Sequence, residues 1–72
     1  MNKTKRGINS YDQLPLIMTV DHLSQIMGIS RVGAYELTKT EGFPVIRVGR
    51  RITIPKSAFI KWVDEKSQNH GE

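Results

Sequence analysis

The chain has no cysteine. That excludes a disulfide framework and a thiolate metal site, and it suits a reducing compartment such as the cytoplasm. No apolar run approaches the roughly 20 residues that span a bilayer. No apolar stretch follows Lys3, Lys5 and Arg6 that would form the core of a signal peptide. No amphipathic segment has the Lys/Arg-rich polar face that membrane docking needs, so a membrane partner is not expected. Histidine is scarce: His22 and His70 stand alone, without paired carboxylates beside them, and no metal site is expected. No nucleophile–base–acid set is visible among the few Ser, Thr and Tyr hydroxyls. Catalytic residues, a cofactor and a small-molecule substrate are therefore not expected. Acid is missing from one place in particular. Residues 43–56 carry Arg47, Arg50, Arg51 and Lys56 with no Asp or Glu.

What is present is small and basic. The 72 residues carry a formal net charge of +4, enough chain for one domain with a small core. The sequence pI of about 9.8 suits a nucleic acid as partner. Charge alone would equally suit an acidic protein or an anionic membrane surface.

Residues 1–13 are polar and aperiodic and read as a flexible basic arm. Leu14 to Met18 is short and apolar, fitting an edge strand with Pro15 near its start. Thr19 is a good N-cap for a helix from Val20 to Met27, with Asp21 suited to the first turn. Gly28 ends that helix, Ile29 follows as an apolar plug, and Ser30 caps a second helix from Arg31 to about Thr40. The inward set expected of such a pair is Leu23, Met27, Ile29, Ala34 and Leu37, with the small Ser24 where the helices approach. Two short helices joined at Gly28-Ile29-Ser30 form the helix-turn-helix pattern, and a plain helical hairpin is the bland alternative. Phe43-Pro44 stops the second helix by Gly42.

A β-hairpin follows, Val45 to Ile54. A three-residue loop, Gly49 to Arg51, pairs Val48 with Ile52 and Ile46 with Ile54. All four apolar side chains then share one face, with Arg47 and Thr53 on the other. This register avoids burying an unpaired arginine, but it leaves Gly49 away from the usual bulge position. Pro55 suits the start of a third helix, Lys56 to about Lys66, with Ala58, Phe59, Trp62 and Val63 as its apolar stripe. Fraying is expected from Ser67 onward. The expected fold is mainly α with a small hairpin, a winged helix-turn-helix. It divides into an arm (1–13), a binding domain (14–67) and a disordered tail (68–72).

The segments MTVDHLSQIMGISRVGAYELTKT and FPVIRVGRRITIPKSAFIKWV resemble the excisionase-type helix-turn-helix domains, relatives of the MerR winged-helix group. The resemblance covers roughly residues 16–66. It is most specific at Thr19-Val20-Asp21, at Gly28-Ile29-Ser30-Arg31, and at Arg47-Val48-Gly49-Arg50-Arg51 with Ile54-Pro55. It implies a bacterial cytoplasmic protein, at the nucleoid when bound, encoded on a mobile element or phage. Such domains bind repeated sites beside an attachment site, bend the DNA and assist a tyrosine recombinase; others regulate transcription. The length, with no effector domain attached, fits the excisionase expectation. Gly33 departs from the pattern, standing mid-helix where a side chain is usual. It costs up to about 1 kcal/mol against Ala. Either it admits a close backbone approach to DNA or it marks a weak helix.

In a helix-turn-helix the second helix enters the major groove. Its outward residues are Ser30, Arg31, Val32, Tyr35, Glu36 and Lys39. Arg31 is the candidate for bidentate contact with guanine, and Glu36 can accept from a cytosine amino group. Tyr35 and Lys39 suit phosphate. On the wing, Arg47, Gly49, Arg50, Arg51 and Thr53 are candidates for phosphate or a narrow minor groove. Lys3, Lys5 and Arg6 are candidate arm contacts, with a solubilising tail as the alternative. The expected partners are double-stranded DNA, a tyrosine recombinase and further copies lined up cooperatively on DNA. A stand-alone transcriptional regulator and an interaction module gripping an acidic partner are the competing readings.

Overall fold

The computed structural model describes residue 8 and residues 10–70. The positions of Lys3, Lys5 and Arg6 lie outside them. In chain order the elements are a 3-10 turn (Tyr11–Gln13), β1 (Ile17–Met18), α1 (Val20–Met27), α2 (Arg31–Thr38), β2 (Ile46–Val48), β3 (Arg51–Pro55) and α3 (Lys56–His70). The three strands form one antiparallel sheet in the order β1-β3-β2. This is the expected small winged helix-turn-helix.

Local chemistry explains the helix limits. Thr19 caps α1 twice over. Its Oγ1 accepts from the His22 N–H at 3.2 Å, and its own N–H donates to His22 Nδ1 at 2.9 Å. His22 thus takes the place of the Glu or Gln of a capping box. At the other end Gly28 has φ 69°, the left-handed region that suits glycine. The Gly28 N–H donates to the Gln25 carbonyl and the Ile29 N–H to the Ser24 carbonyl, the two bonds of a Schellman closure. Ser30 then caps α2, its Oγ accepting from the Gly33 N–H at 3.0 Å. These short-range bonds define the turn between the helices.

The core is Leu14, Met18, Val20, Leu23, Ala34, Phe43, Ile54 and Phe59. Ile26, Leu37, Val45, Ile52, Trp62 and Val63 pack against it in part. Ser24 is buried at the α1–α2 approach, and its hydroxyl donates to the Asp21 carbonyl. Two residues expected inward are not: Met27 is 37% and Ile29 39% exposed. The Schellman bonds position Ile29 through its backbone, so the turn does not need its side chain buried.

Three further boundaries differ from expectation. The end of the arm is folded: Ser10 N–H donates to Gln13 Oε1, and Tyr11 meets Phe59 edge-on at 6.2 Å. The second helix stops at Thr38 rather than Thr40, because Thr40 and Phe43 N–H groups turn back onto Leu37 and Thr40 carbonyls. The third helix runs to His70, past the expected end at Lys66.

The hairpin register is corrected. β2 pairs β3 as Ile46↔Thr53, Arg47↔Ile52 and Val48↔Arg51, around a two-residue turn at Gly49-Arg50. Gly49 has φ 61° and Arg50 has no positive φ, the pattern of a type II′ turn with glycine first. A three-residue loop would keep arginine out of a buried face, but β2 has no such face: all three of its residues are exposed. Register is strongly specified by burial only where a face is buried. Here the turn decides it, and Ile46 and Val48 stand 53% and 60% exposed.

β3 is the central strand. Its Ile54 pairs with Met18 of β1, and both are fully buried. The Lys56 N–H donates to the Leu16 carbonyl at 2.8 Å, and Lys56 Nζ to the Leu14 carbonyl at 3.2 Å. The hairpin is therefore tied to the segment that leads into α1.

Candidate nucleic-acid interface

α2 turns one side to the core and the other to solvent. Ala34 and Thr38 are buried, and the Thr38 hydroxyl donates to the Tyr35 carbonyl at 2.7 Å. At about 100° per residue, Val32 and Glu36 lie nearly opposite that buried pair. By the same count Lys39 lies about 120° from the direction of the buried pair, Tyr35 about 80° and Arg31 about 40°, so Arg31 is the nearest of them to the core side. All of these, and Ser30, are exposed. The sequence-derived set is therefore exposed along one short helix and its caps, with Val32, Glu36 and Lys39 on the outward side, Tyr35 beside them and Arg31 nearer the core. Ser30 differs in kind, because its hydroxyl oxygen is committed to the cap of its own helix.

Gly33, in the first turn of α2, faces the capping residue. A Cβ built there would lie 3.3 Å from Ser30 Oγ and 3.7 Å from Ile29 Cβ. Its missing side chain leaves room for the cap and does not open the outward side of the helix.

The wing carries its cations differently from the sequence expectation. Cross-strand partners share a face of the sheet. Arg51 and Thr53 therefore stand with Val48 and Ile46 on the outer face, while Arg47 stands with Ile52 on the side that leads to Ile54. Arg50 occupies the turn. Arg47 and Thr53 are on opposite faces, not the same one. The three arginines thus surround the hairpin end on the turn and both faces.

Thr53 has a bond that the sequence did not suggest: its hydroxyl donates to the Ile46 carbonyl across the strands at 2.7 Å. Its one O–H is spent inside the hairpin. Lys56, part of the same basic run, directs its ammonium at a backbone carbonyl, as described above. The side chains of Arg31, Lys39, Arg47, Arg50 and Arg51 make no hydrogen bond or ion pair among the described residues. Five exposed cations are thus left without a partner, two at the second helix and its C-cap and three on the wing.

Other chemistry is thin. Among the described residues no group of three or more His, Cys, Asp or Glu residues could hold a metal ion. His22, from which no metal site was expected, serves its helix cap. No helix of the described residues is long and apolar enough to cross a membrane. Phe59 is in the core and Trp62 packs against it, as their spacing implied.

Sequence reasoning missed the outer sheet face, where Ile17, Ile46 and Val48 are exposed. The signal lies in the alternation of Ile46, Arg47 and Val48, which places both apolar residues on one face of an edge strand.

A helix-turn-helix followed by a β wing, with unpaired cations on both, defines a DNA-binding domain. Residues 17–67, well over half of the chain, match the family described as Helix-turn-helix domain, and the chain belongs to that DNA-binding family. No curated protein and no solved structure matches the chain.

Proposed function

We propose that this protein is an accessory factor for DNA excision. It places α2 in the major groove and the wing against the adjoining backbone of one duplex. The unpaired cations on both elements carry this reading. Each phosphate neutralised releases condensed counterions, which is the main source of affinity for such a surface. Arginines on the turn and both faces of a narrow hairpin suit a groove with a phosphate wall on either side. The excision role rests on the resemblance of residues 16–66 to excisionase-type domains. In that role copies line up on repeated sites, bend the DNA and assist a tyrosine recombinase.

The test is footprinting of the full chain over the attachment ends of its host element, with and without the recombinase. Repeated protected sites beside one end, strengthened by recombinase, are the expected result. A single protected site over a promoter would make the protein a transcriptional regulator instead. Binding to no duplex at any salt concentration would overturn the DNA reading altogether.

A further inference from the structure

Val32 breaks two local rules at once. It is an apolar side chain left 72% exposed, and it is a β-branched residue on an exposed position of a short helix that already contains Gly33. A polar, straight-chain residue would suit that position better in an isolated protein. Departures of this kind are expected where function overrides stability. The position also lies on the outward side, about 140° around the helix axis from the direction of the buried Ala34 and Thr38, in the first turn of the helix. On the groove-bound helix of the proposed function it would point directly at base edges.

An isopropyl group can donate and accept nothing. In the major groove the favourable apolar partner is the C5-methyl of thymine, which no other base carries. We infer that Val32 reads a thymine methyl, so that the site bound by α2 contains a T·A pair at the position facing it. This inference rests on the proposed major-groove placement of α2 and adds to it the base chemistry of the target.

The test uses the full 72-residue chain and duplexes that it selects from a random-sequence library. Each thymine of the selected site is replaced in turn by deoxyuridine, which removes the methyl and leaves the pairing edge intact. One replacement should weaken binding of the parent about fourfold, which converts to the ~0.8 kcal/mol of one methyl group returned to water. The Val32→Ala variant, which alters only an exposed side chain, should bind more weakly than the parent and be insensitive to the same replacement. Insensitivity of the parent at every thymine would overturn the inference and leave the DNA reading standing. Equal weakening in parent and variant would overturn it too, by assigning the methyl to another residue. Failure to enrich any duplex, with no salt-dependent binding, would remove the DNA reading and the inference with it.

Discussion

Trp62 shows most clearly what a single residue contributes to so small a domain. Its ring meets Phe43 at 4.8 Å and stacks toward Phe59 at 6.5 Å. Its indole N–H is buried with no hydrogen-bond partner among the described residues. Truncation and conservative replacement should therefore part company. Trp62→Ala removes the ring and should cost roughly 3–5 kcal/mol, enough to unfold a domain of this size. Trp62→Phe keeps an aromatic body and removes the orphaned donor, whose burial has its own cost. It should remain folded, with a cooperative thermal transition by circular dichroism. A Trp62→Ala variant as stable as the parent would take the residue out of the core. At this scale the sequence is legible wherever a rule is local. Thr19, Gly28 and Ser30 do what their residue types announce, because a cap or a left-handed turn needs only its immediate neighbours. The inward expectation fails for Ile29 because apolar character predicts burial only on average. The bonds that hold its turn are made by the backbone.

The wing shows where an element escapes such reading. Its two possible registers differ in which side chains share a face. Alternation selects between them only if both strands bury one. Only β3 does, through Ile54 and in part Ile52. β2 lies at the sheet edge with nothing packed over it, so its pattern carries no information about register. The turn holds that information instead. Gly49 needs its positive φ of 61°, and no atom outside its chain neighbours lies within 4 Å of where a Cβ would sit. A substitution there is thus strained in the backbone and free of any clash. Gly49→Ala should cost about 1–2 kcal/mol, lowering the melting temperature by at least several degrees in a domain of this length. Crowding elsewhere would not contribute, so enlarging the side chain further, as in Gly49→Ser, should cost little more. A Gly49→Ala variant as stable as the parent would show that the turn adopts another geometry. The same reasoning covers Thr53. Its hydroxyl closes the hairpin onto Ile46, so Thr53→Val should loosen the wing before it weakens any grip on phosphate.

At the scale of the whole molecule, the sheet joins the two halves of the proposed interface. β3 pairs with β1 just ahead of α1, and Lys56 fastens the start of α3 to Leu14 and Leu16. The wing is therefore continuous with the helix-turn-helix, and both should engage one duplex together. This gives the two elements separable signatures. Arg50→Ala with Arg51→Ala removes charge at the hairpin end, where both side chains are exposed and unpaired, so folding should be unaffected. Binding should weaken similarly on every duplex. The log–log salt slope should fall by about one unit for each phosphate left without its cation, or about two for the pair. Arg31→Ala on α2 should behave differently, relaxing base preference at one position by roughly 1–3 kcal/mol on a sequence-matched duplex. Fluorescence anisotropy on one selected and one random duplex, across a salt series, separates the two. An unchanged slope in the wing variant would place the phosphate grip elsewhere. A wing variant that abolished preference for the selected duplex would give the hairpin the reading role now assigned to the helix.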